Sequence, residues 1–307
     1  MKRQGVVKEV SQVNEVKGKS SGVAAFFDLD GTLVPRPSLE QRFFRTLRYR
    51  REIRIKNYFL WLKEAVRLAP RGLSTILQAN KMYLRGVEIF DERDEEDGKV
   101  ASWHKGGHQA KGQSSVLRST KAQRHPRLPV PTFFALAIDT LAWHVKQGHE
   151  IVLISGTLEP LARRAALALE TALVARGITV TIRVMATRLE EQGGRWTGRV
   201  LGEAMFGEAK ARAARRLATE LGLGLRTCYA YGDSLNDGCL MEVAGRPAAV
   251  NPANALASIA RTRGWPILSW EEKENITQRR PDRLGTSAVQ EGIVEKKEQP
   301  AAIAGCN

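Results

Sequence analysis

Eight residues in four short clusters could carry chemistry in this chain. Asp28 and Asp30 lie in Phe27-Asp28-Leu29-Asp30-Gly31-Thr32. Ser155 and Gly156 begin Ser155-Gly156-Thr157, and Lys210 follows Glu208-Ala209. Asp233, Asn236 and Asp237 belong to Gly232-Asp233-Ser234-Leu235-Asn236-Asp237. Carboxylate oxygens from Asp28, Asp233 and Asp237 suit Mg²⁺, a hard cation that takes few carboxylates and leaves room for phosphate oxygens. Backbone N–H groups at Ser155-Gly156 suit a phosphate if a helix starts there. Lys210 would add a point charge for phosphoryl oxygens. Two aspartates close together can divide roles, one attacking and the other moving a proton.

Each piece alone has an ordinary reading. Asp-Gly is a common turn, and Ser-Gly-Thr is usually a helix cap. A single lysine is usually surface. Gly-Asp-x-x-Asn-Asp is harder to dismiss, because three polar groups after an apolar strand rarely serve packing. The weight lies in the combination.

The elements that must position these residues follow from the pattern. Val23 to Leu29 is an apolar run without polar alternation, as in a parallel strand buried on both faces. Asp28 and Asp30 then fall at its carboxyl end, where open α/β sheets bind ligands. Gly31 allows the turn that takes the chain off the sheet. Further strands are expected at 149–154, 178–185, 225–231 and 248–250, alternating with helices at 131–147, 158–176, 208–221 and from about 253. Ser155-Gly156-Thr157 is read as opening the 158–176 helix. Alternation of this kind predicts an α/β fold, a doubly wound parallel sheet with helices on both faces. Residues 186–206, with Gly193-Gly194 and Gly198, suit a hairpin or flap.

A helical cap is expected directly after the first strand. Ser38 can cap a helix, helices follow at 57–68 and 73–85, and arginines surround the first of them. The domain plan is a polar tail at 1–22, an α/β core at 23–36 and 131–270, and a cap at 37–130. An irregular insert fills 88–130 of that cap, and 271–307 form a flexible tail. The insert contains the acidic block Asp91 to Asp97. It also holds His104 and His108, whose intervening glycines argue against a helical metal site.

The 307 residues suffice for a sizeable core, and 43% apolar content is ordinary for a globular protein. No apolar stretch approaches the roughly 18 residues of a membrane span. The polar, basic N-terminus lacks the apolar centre of a signal peptide, so a cytoplasmic protein is expected. Three widely spaced cysteines form no CxxC pair. The net charge of +15 fits an anionic small substrate, nucleic acid or an anionic membrane surface.

Asp28-Leu-Asp-Gly-Thr, Ser155-Gly-Thr, Lys210 and Gly232-Asp-Ser-Leu-Asn-Asp237 together resemble the four motifs of the haloacid dehalogenase superfamily. The helical insert after the first motif resembles its subfamily IB, the phosphoserine-phosphatase-like branch. The resemblance implies an α/β core with a mobile cap and a Mg²⁺-dependent phosphomonoesterase acting on a small phosphorylated substrate. By the same resemblance, Asp28 would be the nucleophile that forms an aspartyl-phosphate, and Asp30 the acid and base. Asp28, the Asp30 carbonyl and Asp233 would hold Mg²⁺, with Asp237 nearby. Ser155, Gly156 and Lys210 would hold the phosphoryl group, with Asn236 beside them. Phosphoserine phosphatases carry a glutamate shortly after the first motif that recognises the substrate ammonium. Counting from Asp28 puts Pro37 at that position, and the nearest acid is Glu40. Transfer of the phosphoryl group to an alcohol is the second reading. A basic nucleic-acid or membrane-binding protein is the third.

Overall fold

A computed structural model describes residues 22–89 and 128–270. The tails expected at 1–22 and 271–307 lie almost wholly outside the described residues. So does most of the 88–130 insert, including the acidic block, His104 and His108.

Six parallel strands form the main sheet in the order β3-β2-β1-β6-β7-β8. They are β1 Ala24–Phe27, β2 Glu150–Leu158, β3 Arg183–Thr187, β6 Tyr229–Gly232, β7 Arg246–Val250 and β8 Ile267–Leu268. Strand residues alternate between two cores because successive side chains point to opposite faces. Ala25 and Phe27 of β1, Ile151 and Leu153 of β2, and Tyr231 of β6 enter one core. Ala24, Phe26, Val152, Ile154 and Ala230 enter the other.

The first core is covered by α4 (Ala135–Lys146) and α5 (Glu159–Val174), which contribute residues such as Leu141 and Leu169. The second is covered by α6 (Glu208–Leu221), α7 (Leu235–Val243) and α8 (Asn254–Arg263), through residues such as Leu217, Leu240 and Leu256. This is the expected doubly wound parallel sheet. Strand order reverses between β1 and β6, so the crevice at their carboxyl ends is the expected ligand site.

The chain between β1 and α4 builds the cap, with α1 (Leu39–Tyr49), α2 (Ile55–Leu68) and α3 (Leu73–Ala79). Ser38 caps α1 as expected, its Oγ accepting the Gln41 amide at 3.2 Å. Leu39, Phe43 and Leu47, spaced by four, turn the same face inward. Two buried amides fasten the cap. Asn57 donates to the Tyr83 and Arg85 carbonyls at 3.0 and 2.9 Å, and Asn80 donates to the Trp61 carbonyl at 2.8 Å.

Several expected boundaries move. The helix expected at 73–85 stops at Ala79. Asn80 leaves the helical conformation there, with its side chain committed to Trp61. The third strand starts at Arg183 rather than at 178. Residues Leu225–Thr227 form a 3₁₀ turn, so the fourth core strand spans only Tyr229–Gly232. The hairpin expected within 186–206 is present as β4 (Leu189–Gln192) and β5 (Arg195–Val200). It docks on the end of the cap. Trp196 exchanges backbone hydrogen bonds with Gly86 and Val87, and its ring meets Phe43 edge-on at 6.1 Å.

Candidate active site

Three strand ends and two helices bring the polar clusters to one edge of the sheet. Asp28 follows β1, and its N–H donates to the Tyr231 carbonyl at 2.9 Å, continuing the β1–β6 ladder. Asp233 follows β6, and Asp237 lies in the first turn of α7. Carboxylate oxygens of Asp28, Asp233 and Asp237 lie within 4.8 Å of one another, and all three residues are buried. The approach is close because Gly31 has no side chain. A Cβ there would lie 2.1 Å from Asp233 Oδ2, and Gly31 also has φ of +94°.

Lys210 holds this acidic cluster together from α6. Its Nζ donates to Asp28 Oδ1 at 2.6 Å and to Asp237 Oδ1 at 2.5 Å. Asp237 is fixed at its second oxygen by Asp233 N–H, Ser234 N–H and the Ser234 hydroxyl. That arrangement is a capping box for α7. Arg36, on the loop entering the cap, reaches Asp233 Oδ2 at 2.7 Å. Burial pushes the Asp28 carboxyl well up, with Asp237 and Asp233 adding repulsion and Lys210 opposing. Burial and Asp237 likewise raise Asp233 to about 6, against Arg36 and Lys210.

Asp30 is held apart from this cluster. Its Oδ1 accepts the Leu39 N–H at the start of α1, at 2.8 Å. Burial raises its pKa to about 6; the Leu39 amide counteracts this and Glu40 adds to it. A carboxyl that titrates near neutrality can both donate and accept a proton.

One expectation fails. Ser155-Gly156-Thr157 does not open a helix but lies within β2, which continues to Leu158. Ser155 pairs with Ala186 of β3, the register then shifts, and Leu158 pairs with Thr187. The Thr187 hydroxyl donates to the Gly156 carbonyl at 2.8 Å, holding the segment to the sheet. Helix α5 starts only at Glu159, with Pro160 in its first turn. Any phosphate contact from this motif therefore comes from an irregular strand end. An added Cβ at Gly156 would lie 2.1 Å from the Phe206 ring, so a side chain there would force the ring to move.

All eight expected residues line one cavity of about 790 Å³ between core and cap. Its core wall is the acidic cluster with Lys210 and Ser155. Its cap wall includes Glu40, Phe44, Tyr58, Trp61, Lys81 and Tyr83. Glu40 is tied to its neighbours through one oxygen: Lys81 Nζ and the Tyr83 hydroxyl each donate to its Oε1 at 2.5 Å. Gln78 on α3 donates to Asn236 Oδ1 at 2.9 Å and links cap to core. Lys81 and Tyr83 escape sequence reasoning because their partner lies more than 40 positions away. Arg36 had no signal beyond its charge.

The model of haloacid dehalogenase-like hydrolases matches residues 25–242, the span that holds all four clusters. This chain belongs to that family. A probable phosphatase of Mycobacterium tuberculosis is 30% identical over 258 residues, covering 84% of this chain and 79% of that protein. A phosphoserine phosphatase of the same species is 29% identical over 245 residues, covering 80% and 70%. Among solved structures, a Bordetella pertussis protein of unknown function is similar with a TM-score of 0.50 and 25% identity. That match covers 80% of this chain and 98% of the other. Among the described residues of this hydrolase, no helix is long and apolar enough to cross a membrane.

Proposed function

We propose that this hydrolase is a Mg²⁺-dependent phosphomonoesterase that works through an aspartyl-phosphate on Asp28. The observation that carries the reading is the convergence of Asp28, Asp30, Ser155, Lys210, Asp233 and Asp237 on one buried cavity at the sheet's switch point. The donor set fits a magnesium ion: three buried carboxylates within 4.8 Å, with hard oxygens and raised pKa values for Asp28 and Asp233. Asp28, Asp233 and the Asp30 carbonyl would hold the ion, with Asp237 beside it. When bound, it would neutralise charge on the phosphoryl oxygens.

The protein's own residues account for the remaining steps. A carboxylate oxygen of Asp28 attacks phosphorus, and the bond from phosphorus to the leaving oxygen breaks. Asp30, in its acid form, donates its proton to that oxygen, so the alcohol leaves neutral. Asp30, now a carboxylate, then takes a proton from water as that water attacks phosphorus. The bond to Asp28 breaks, and inorganic phosphate departs. Lys210 orients the Asp28 carboxylate, and the Ser155-Gly156 strand end with Asn236 faces the phosphoryl group. The pKa of about 6 for Asp30 supports both of its roles.

The cap wall supports a narrower substrate class. The Lys81 ammonium on Glu40 Oε1 already balances the Glu40 charge, which weakens its attraction for a substrate ammonium. Removing one partner of such a buried ion pair typically costs about 3–5 kcal/mol. Phe44, Tyr58 and Trp61 offer ring surface instead. The reading is a small phosphomonoester whose alcohol is uncharged, rather than phosphoserine. Asp28→Asn with a generic aryl phosphate tests the activity. Loss of hydrolysis with an unchanged fold is expected, and hydrolysis near wild type would reject the mechanism.

A further inference from the structure

Helix α2 carries a second apolar face that no described residue packs on. Ile55, Phe59, Leu62 and Val66 are 76%, 69%, 57% and 69% exposed. Their spacing of four, three and four keeps them within roughly 60° of one another at about 100° per residue. The helix does not need this face to fold. Asn57, Ala65 and Leu68 are buried on another side, and Tyr58 and Trp61 turn toward the cavity.

The charges around the stripe have one dominant sign. Lys56, Lys63 and Arg67, the last paired with Glu64, run along one border of it. Residues 37–89 contain twelve Lys and Arg against four Asp and Glu, so this part of the cap carries +8 of the chain's +15. Tyr49 at the end of α1 and Leu73 at the start of α3 are also exposed, at 90% and 71%. An apolar helix face bordered by cations is the pattern that settles at an anionic lipid interface. The apolar side chains enter the headgroup boundary, and each nearby Lys or Arg adds attraction to the surface.

We propose that the cap docks through α2 on an anionic lipid surface. A second copy is the competing occupant. Two faces that each belong to this +8 part of the cap repel, whereas anionic headgroups satisfy the cations and the stripe together.

The test is sedimentation of the full-length protein with vesicles of phosphatidylcholine alone, or of phosphatidylcholine and phosphatidylglycerol in equal parts. The wild type should bind the anionic vesicles at low salt, bind the neutral ones weakly, and release as salt rises. The double variant Phe59→Glu/Leu62→Glu should lose at least about tenfold in partitioning. Lys56→Ser/Lys63→Ser should lose several-fold and show a shallower salt dependence. All four side chains lie outside the cavity, so both variants should melt like the wild type. Equal binding by wild type and the Glu variant would overturn the proposal. So would no binding of the wild type to anionic vesicles. A wild-type dimer that the Glu variant dissolves, without vesicle binding, would assign the face to a second copy instead.

Discussion

Lys210→Met removes a buried ammonium that donates to both Asp28 and Asp237. Methionine roughly keeps the volume of the stem and deletes the charge. Three buried carboxylates within 4.8 Å then face one another, and among the described residues Arg36 opposes through Asp233. Breaking a buried charge network from one side costs about 3–5 kcal/mol. In a folded unit of roughly 200 residues that corresponds to a drop in melting temperature of about 10 °C. The loss should depend on pH in a definite direction. Asp28 is already raised by burial and lowered by Lys210. Without Lys210 its folded pKa rises further above the unfolded value. Such a group stabilises the fold at low pH and ceases to do so as pH rises through the folded pKa. The deficit should therefore be small near pH 5 and large near pH 8. Magnesium should restore part of it, about 2.7 kcal/mol at a hundred times the dissociation constant. Thermal melts at the two pH values, with and without magnesium, read all three effects. A variant that melts within a degree or two of wild type near pH 8 would refute the electrostatic account of the site.

Two further outcomes follow from other contacts. Lys81→Met should leave the Glu40 carboxylate in the cavity wall with the Tyr83 hydroxyl but without its cation, lower stability by a few kcal/mol, and raise turnover of phosphoserine relative to an aryl phosphate. Competition assays between the two substrates would measure the ratio, and an unchanged ratio would remove Glu40 from the specificity argument. His144 is wholly buried, with Nε2 at 2.9 Å from the Tyr231 hydroxyl, and burial together with His149 lowers its pKa to about 3. The unfolded state takes up that proton near pH 6.5, so stability from this group is complete above that pH. It falls by about 1.4 kcal/mol per unit as pH drops toward 3. Denaturant titrations of His144→Phe should show a lower baseline and a flatter acid slope than wild type.

The edge that gathers the polar clusters is legible because its signals are local. The apolar run before Asp28, the glycine after Asp30 and the acids after Tyr231 each announce a strand ending in chemistry. A parallel sheet then gathers such ends without further information. Ser155-Gly156-Thr157 departs from the expected helix start for a physical reason. Small polar residues before a helix look like a cap, yet here β3 supplies ladder partners that keep them in the strand. The cap wall was hidden because Glu40, Lys81 and Tyr83 meet only through tertiary packing. Docking of the β4–β5 hairpin on the cap was hidden in the same way, since Trp196 and Phe43 share no local pattern.

The proposed hydrolysis requires a covalent bond between phosphorus and Asp28. Mixing the protein with an aryl phosphate, quenching in acid within the first turnover, and reducing with borohydride converts an acyl phosphate to an alcohol. Peptide mass spectrometry should then find homoserine at position 28. Steady turnover with no modified residue, or with the modification at Asp30, Asp233 or Asp237, would contradict it.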